Sequence, residues 1–282
     1  MSKNFFGIMQ GRLLPKYEGK FQAHPVGYWQ DEFKIASKLS FDCIEFILDY
    51  KLASSNPLLL ETGLEQIISL SKKNNVFVRS VCADYFMQSP IFLDSLDKKK
   101  QNLDTLKKLF LNAKKLNITD IIIPLVDNSS VLLSKDKAKL AVKFLKTFFN
   151  QTNFENINIC LETDLPPQYF LEFINNIDHP QIKINYDTGN SASLGYDFFE
   201  EFETYGHLVT NIHIKDRKLN GKSVPLGLGD CNFKEIFKYL SKKNYDGLFI
   251  LQAFRDDDAL SSLIPQYKYI KNYLENYFYK AS

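Results

Sequence analysis

The chain has 282 residues, 45% of them hydrophobic, so it is long enough to bury a sizeable core. Its 35 basic and 33 acidic side chains give a formal charge of +2, too weak a field to favour nucleic acid or an anionic membrane as a partner. The opening residues MSKNFFGIMQGR hold too short an apolar run for a signal peptide, and no later segment approaches the roughly 20 apolar residues of a membrane span. We therefore expect a soluble, cytoplasmic protein.

Eight short runs rich in β-branched and aromatic residues are predicted strands. They lie at about residues 5–9, 42–48, 76–82, 119–125, 157–162, 182–187, 209–215 and 247–252. Stretches of helical period separate them, for example residues 97–116 and 135–151, whose lysines are typical of solvated helix faces. Strict alternation predicts parallel strands joined by right-handed crossovers, and eight units in a chain near the usual size of about 250 residues predict a (β/α)8 TIM barrel.

The sequence favours one barrel domain spanning residues 1–282, because no Pro/Gly/Ser-rich linker divides it. The longest stretch without a predicted element, residues 11–29, follows the first strand and is expected above the C-terminal rim of the barrel. A doubly wound sheet is the main alternative, but it would carry a GxGxxG turn after the first strand. The sequence MQGRL at that point lacks this turn.

The four cysteines, Cys43, Cys82, Cys160 and Cys231, are far apart and form no CxxC pair. This spacing argues against a zinc ribbon and against a disulfide framework. Buried, reduced thiols are the favoured interpretation.

Four consecutive predicted strands end in polar residues that face the barrel axis. Alternation turns Ile159 and Leu161 toward the helices, so the axis-facing residue at the end of that strand is Glu162. The same reasoning places Asp187, His213 and Gln252 at the ends of the next three strands. Oxygen ligands with one imidazole suit Mn²⁺, Mg²⁺ or Co²⁺ better than a thiolate zinc site, although Zn²⁺ remains allowed. Buried carboxylates need neutralisation, and simple pairing with Lys215 or Arg217 is the alternative to a metal.

Other residues near the predicted mouth are candidates for substrate binding. Lys215 and Arg217, at the end of the seventh strand, could hold an oxyanion or a sugar phosphate, although such an arginine is equally compatible with a surface ion pair. Four further residues could line the mouth or supply apolar walls against a sugar ring: Gln10, Arg12, Trp29 and Phe86.

Two further features near strand ends have weaker interpretations. GLGD, residues 227–230, precedes a predicted helix near Asn232 and could bind phosphate or form an ordinary turn with an N-cap. Asp84 and Asp216 also lie near strand ends, but alternation turns Asp216 away from the axis.

At these residues the sequence resembles the xylose isomerase-like TIM-barrel family of sugar and sugar-phosphate isomerases, ketose 3-epimerases and, more distantly, zinc-dependent abasic-site endonucleases. The resemblance covers nearly the whole chain, through the segments GIMQGRL, FDCIEF, ICLET, NYDTGN, NIHIKDR, PLGLGDCNFKEIF and YDGLFILQ. Ketose 3-epimerases of this type bind a divalent ion through glutamate, aspartate, histidine and a second glutamate. The resemblance implies those roles for Glu162, Asp187, His213 and the position of Gln252, and it implies substrate contacts for Arg217 and Glu45.

Gln252 departs from this pattern, because the epimerases usually have glutamate there. An amide oxygen can coordinate a cation but cannot accept a proton as a general base near neutral pH. With Glu162 as the only base, aldose–ketose isomerisation through a metal-bound enediolate fits better than inversion of a centre, although water or Glu45 could replace the missing acid. Lys215 or Arg217 could stabilise the oxyanion.

The sequence therefore predicts a divalent-metal-dependent sugar or sugar-phosphate isomerase or epimerase. One alternative is a metal-dependent keto-sugar or polyol dehydratase, because the same enediolate can expel a β-hydroxyl. Another is a sugar-binding barrel whose catalysis lapsed with Gln252. A DNA-repair nuclease is disfavoured by the small net charge and by only four histidines. The expected partner is a small sugar or sugar phosphate, and a homo-oligomer is compatible with the sequence.

Overall fold

Eight parallel strands close into a barrel in a computed structural model that describes residues 5–279. The strands are β1 Phe6–Met9, β2 Cys43–Ile47, β3 Phe77–Cys82, β4 Asp120–Leu125, β5 Asn158–Thr163, β6 Ile182–Asp187, β7 Val209–Ile214 and β8 Leu248–Leu251. Each pairs with the next in sequence, and β1 pairs with β8 to close the ring. The predicted (β/α)8 barrel is thus confirmed, with every predicted strand present to within about one residue at each end.

Helices connect the strands on the outside of the ring. They are α1 Asp31–Lys38, α2 Glu61–Asn74, α3 Tyr85–Gln88, α4 Leu96–Leu116, α5 Lys135–Asn150, α6 Pro167–Ile177, α7 Thr188–Leu194, α8 Phe198–Tyr205, α9 Phe233–Lys242 and α10 Ala259–Tyr277. Short 3₁₀ helices occupy Tyr17–Gly19, Ala53–Ser55, Pro57–Leu59, Asp127–Ser129 and Gly206–Leu208. Within residues 5–279, none of the helices is both long and apolar enough to cross a membrane.

Side-chain alternation divides the apolar residues into two cores. The larger core lies between the strands and the surrounding helices and includes Ile159, Leu161, Ile184 and Tyr186. The smaller core fills the ring itself and consists of Met9, Cys43, Ile47, Cys82, Ile122, Cys160, Leu248 and Ile250. Three cysteines therefore serve as small apolar side chains inside the barrel, and within residues 5–279 none of the four cysteines forms a disulfide.

The barrel interior is narrow near its base. A Cβ atom at Gly7 would lie 2.5 Å from the sulfur of Cys43 and 2.8 Å from the Cδ1 atom of Ile250. Only glycine lets β1 approach its neighbours this closely, so the core inside the ring depends on this residue.

The segment after β1, residues 11–29, folds over the C-terminal end of the barrel and is held there by buried charged side chains. Glu32 accepts hydrogen bonds from the backbone N–H groups of Gly11 and Leu13, at 3.0 and 3.3 Å. Arg255, which follows β8, donates to the carbonyl oxygens of Gly11 and Leu14. The segment is therefore fixed to both neighbouring parts of the rim, as expected for a loop that forms a wall of the mouth.

Candidate active site

Glu162, Asp187 and His213 converge at the C-terminal mouth of the barrel. One potential ligand atom from each lies within 4.8 Å of the others, and all three residues are buried. They come from β5, β6 and β7, where Asp187 is the register partner of His213. Parallel strands bring their carboxyl ends to one rim, so inward residues distant in sequence meet there.

Glu45 holds the imidazole of His213 from below. The Nε2 atom of His213 lies 2.6 Å from Oε1 of Glu45, while the other oxygen of Glu45 accepts from Ser80 Oγ at 2.6 Å and from Asn211 Nδ2 at 2.8 Å. Glu45 is fully buried, so its contacts orient His213 and leave no exposed surface for a substrate. The predicted direct contact between Glu45 and substrate stays a prediction.

The charge balance favours a positive group at the Nδ1 atom of His213. Burial alone would lower the pKa of His213, but the carboxylates of Glu45 and Glu162 outweigh burial and raise the pKa to about 10. Nδ1 lies 3.5 Å from Oε2 of Glu162. With Glu45 at Nε2, a proton or a metal ion on His213 would sit at Nδ1, where Asn185 Nδ2 also lies 3.0 Å away.

Two asparagines fix the orientation of the Glu162 carboxylate. Asn185 Nδ2 donates to Oε2 at 2.7 Å, and Asn190 Nδ2 donates to Oε1 at 2.7 Å. The backbone N–H of Asn190 also donates to Oδ1 of Asp187, which is the N-cap of α7. Asn190 is a site residue that sequence reasoning did not assign, although its position three residues after an aspartate that ends a strand is the spacing of an N-cap.

Lys215 forms one of the ion pairs that were the predicted alternative to a metal. Its Nζ atom lies 3.0 Å from Oδ2 of Asp187 and 3.0 Å from Oδ1 of Asn190. Arg217 has different partners: it donates to the carbonyl oxygen of Gly221 through Nε and Nη2, and to Oδ1 of Asn190 through Nη1. Asp187 therefore has Lys215 as an ion-pair partner, whereas the hydrogen bonds to Glu162 come from the amides of Asn185 and Asn190.

Gln252 follows β8, the strand beside β7, and its backbone N–H donates to the carbonyl oxygen of Ile214. Its Nε2 atom donates to Oε1 of Gln22 at 2.8 Å. Within residues 5–279, Oε1 of Gln252 and Oδ1 of Asn185 are buried acceptors that lack a hydrogen-bond partner. Leaving a buried acceptor unpaired costs about 1–3 kcal/mol, so these oxygens fit a site completed by a cation.

The donor set as a whole fits a divalent ion. It offers two carboxylates, one imidazole and unpaired amide oxygens, which is the oxygen-rich chemistry of Mg²⁺, Mn²⁺ or Co²⁺ and also tolerates Zn²⁺. The competing cation at this site is Lys215, which contacts only one of the two carboxylates.

The four residues expected to line the mouth are all buried in packing or loop contacts. Gln10 accepts from the backbone N–H of Ile47, and its Oε1 atom lies 3.0 Å from Nδ1 of His24. Arg12 donates to the carbonyl oxygens of Ala253 and Phe21, and burial lowers its pKa to about 9. Trp29 packs edge-on against Phe46 with ring centroids 5.7 Å apart, and Phe86 has no exposed surface. All four side chains are nearly fully buried in this structure, and their contact with a substrate stays a prediction.

The GLGD segment forms a turn whose amides are already used. Asp216 is fully buried and points away from the axis, as predicted; its carboxylate accepts from the backbone N–H groups of Gly227, Gly229 and Cys231. Helix α9 is capped by the side chain of Asn232. The structure therefore supports the ordinary turn with an N-cap, and not phosphate binding by these amides.

Comparisons with known proteins agree with this fold. The family model described as xylose isomerase-like TIM barrel matches residues 33–275. L-ribulose-5-phosphate 3-epimerase of Escherichia coli (strain SMS-3-5 / SECEC) is 23% identical over 248 residues, covering 83% of this chain and 86% of that protein.

Solved structures show the same architecture at lower sequence identity. D-psicose 3-epimerase, solved in the presence of D-fructose, has a TM-score of 0.75 at 16% identity and covers 97% of this chain and 99% of its own. The IolI protein with a bound zinc atom has a TM-score of 0.74 at 14% identity, with the same coverage of 97% and 99%. Because the family model spans most of the sequence, the chain belongs to the xylose isomerase-like TIM-barrel family.

Proposed function

We propose that this protein is a divalent-metal-dependent isomerase or epimerase of sugars or sugar phosphates. The observation that carries the proposal is the buried cluster of Glu162, Asp187 and His213 at the mouth of the barrel. Sugar epimerases among its relatives support the reaction class. The proposed ligands are these three residues and Gln252, whose unpaired Oε1 atom is the supporting detail.

A divalent ion bound there would polarise a carbonyl and its neighbouring hydroxyl and so make the adjacent carbon more acidic. Glu162 would remove the proton from that carbon. Asn185 and Asn190 would keep its carboxylate oriented during the transfer, since each donates to one of its oxygens. Glu45 would keep His213 in the tautomer that leaves Nδ1 available.

Lys215 and Arg217 would complete the site around Asn190. Both donate to its Oδ1 atom, at 3.0 and 2.9 Å, so a substrate oxyanion or phosphate approaching there would meet two positive charges. Lys215 would leave Asp187 when the metal binds, because one carboxylate oxygen cannot serve both at full strength.

Gln252 bears on the choice between isomerase and epimerase. Its amide cannot carry a proton near neutral pH, so Glu162 alone would support transfer on one face, as in aldose–ketose isomerisation. A metal-binding barrel without turnover is the second candidate, favoured by the same observation.

The proposal is tested by measuring metal content and proton exchange. The purified protein is loaded with Mn²⁺, incubated in D₂O with a panel of ketoses, aldoses and their phosphates, and examined by NMR for deuterium at the carbon next to the carbonyl. We expect incorporation by the wild type and its loss in Glu162→Gln. Failure to bind Mn²⁺, or incorporation undiminished in Glu162→Gln, would contradict the proposal.

A further inference from the structure

A chain of hydrogen bonds crosses the mouth from β3 to β8. Cys82 Sγ donates to Oδ1 of Asp84 at 3.1 Å, and Gln22 Nε2 donates to Oδ2 of Asp84 at 2.9 Å. Gln252 Nε2 donates in turn to Oε1 of Gln22 at 2.8 Å. Gln22 belongs to the loop over the barrel, so this loop connects the amide of Gln252 to a carboxyl group on another side of the mouth.

The carboxyl group of Asp84 does not cap the helix that it precedes. Asp84 stands at the N-cap of α3, yet its side chain caps none of the backbone N–H groups in the described chain. It lies two residues after Cys82, which faces into the barrel, and its Oδ1 atom contacts Sγ of Cys82, so the carboxyl group lies on the inner side of the rim. Asp84 as a whole residue remains partly exposed.

The surroundings of Asp84 favour its protonated form. Burial, together with the negative charges of Asp49 and Glu162, raises its pKa to about 6, against the hydrogen bonds from Gln22 and Cys82. The guanidinium of Arg12, which donates to Oε1 of Gln22 at 3.1 Å, acts in the opposite direction on Asp84. Asp84 follows β3, and Glu162 belongs to β5. Their strands, β3 and β5, are two positions apart in an eight-stranded ring, which is roughly a quarter turn.

We propose that Asp84 is a second proton-transfer residue, which supplies the acid that Gln252 cannot. The inference rests on the proposed function. Glu162 takes a proton from the carbon next to the carbonyl, and the electron pair of that C–H bond passes into an enediolate. Asp84 then gives its O–H proton to the same carbon from its own side of the mouth, forming a new C–H bond. Water takes the proton from Glu162 and returns one to Asp84, so no oxidant or reductant is needed.

Transfer from two sides changes the expected outcome of the reaction. When the proton from Asp84 reaches the face of the enediolate opposite Glu162, the carbon is inverted, whereas Glu162 acting alone returns a proton to the face it came from. The assignment therefore favours epimerisation, even though the position after β8 carries an amide. Gln22 would serve as a positioning residue, because it holds Asp84 and Gln252 in one hydrogen-bonded row.

The test compares proton exchange with product formation in the Mn²⁺-loaded protein. In D₂O with the sugar panel, we expect Asp84→Asn to retain deuterium incorporation through Glu162 while epimer formation falls about 100-fold or more, the usual contribution of a general acid. Asp164→Asn is the matched control, because Asp164 also stands two residues beyond an inward-facing strand residue but bonds to Ser130. It should leave both readouts unchanged.

A rescue variant and an infrared measurement separate chemistry from structural damage. Adding Gln252→Glu to Asp84→Asn should restore epimer formation, since a carboxyl group returns to the mouth. At about pH 5, below the pKa of about 6, difference infrared spectra should show a protonated-carboxyl band in the metal-free wild type that Asp84→Asn lacks.

Three results would overturn the assignment. Epimer formation by Asp84→Asn at the wild-type rate would do so, as would equal loss of exchange and epimer formation without rescue by Gln252→Glu. Absence of the carboxyl band at pH 5 would show that Asp84 is not protonated and cannot serve as the acid. A wild-type protein that exchanges no proton with any sugar would instead overturn the proposed function, and this inference with it.

Discussion

Replacing Glu45 by glutamine tests how far the candidate metal site depends on the residue beneath it. Glu45 accepts three short hydrogen bonds, from His213, Ser80 and Asn211, and is fully buried. A glutamine keeps one acceptor for His213 but turns an NH₂ group toward Asn211 Nδ2, which can only donate. Loss of the charge-assisted hydrogen bond should lower the free energy of unfolding by about 1.5–3 kcal/mol, and the amide donors left without an acceptor should lower it further.

The same change should weaken metal binding. Replacing a residue that orients a histidine ligand typically lowers metal affinity about 10–100-fold, or roughly 1.4–2.8 kcal/mol. Isothermal titration of the protein with Mn²⁺ at fixed pH measures this, and circular dichroism confirms that the variant is folded.

Ser80→Ala is the matched control for Glu45→Gln. It removes one donor to Glu45 while leaving the contact between Glu45 and His213, so we expect a loss of affinity well below tenfold. A folded Glu45→Gln protein that binds Mn²⁺ as tightly as the wild type would refute the proposed role of Glu45. Equal losses in the two variants would also refute it.

Three further predictions follow from particular contacts. Lys215→Met should tighten Mn²⁺ binding severalfold, because it removes the cation 3.0 Å from Asp187, and calorimetry should reveal no gain if the lysine does not compete. Burial raises the pKa of Glu32 from 4.5 to about 7, so the folded state holds this proton more tightly than the unfolded chain. The free energy of unfolding should therefore fall by up to about 3 kcal/mol as pH rises from 4.5 to 7. Urea titrations at each pH should show a smaller decrease for Glu32→Gln. Gly7→Ala should lower the free energy of unfolding by about 1–3 kcal/mol, because the added Cβ would clash with Cys43. Adding Cys43→Ala to the same chain should recover part of this loss. An unchanged urea midpoint for Gly7→Ala would show that the core inside the barrel is loosely packed.

The barrel and the inward direction of the strand-end residues were predictable because both depend on local pattern. A side chain in a strand points to one face or the other, so a run such as NINICLE settles the direction of Glu162 once its isoleucines are assigned to the helices. The same rule correctly turned Asp216 outward. Asn190 could have been found from its spacing to Asp187, which is that of an N-cap.

The partners of polar side chains were not predictable in this way. Arg12 stands two residues after Gln10, yet its contacts are with Ala253, 241 positions away, and with the neighbouring loop. Trp29 and Phe86 are residue types that often pack against sugar rings, but here they pack into the larger hydrophobic core. The partners of these side chains depend on which groups the closed barrel brings close together. The order of residues in the sequence does not give those distances.

The sequence by itself determined the alternation of strands and helices, the closure of eight units into a barrel, and the four polar residues that end its consecutive strands, because hydrophobic period and residue chemistry are properties of the chain. Only the tertiary structure decided that Glu45 lies beneath His213, that Lys215 reaches Asp187, and that Gln22 joins Gln252 to Asp84. Each of these contacts links residues 28 to 230 positions apart and depends on distances of about 3 Å. Distances of that kind are set by the packing of the whole barrel and not by any one segment.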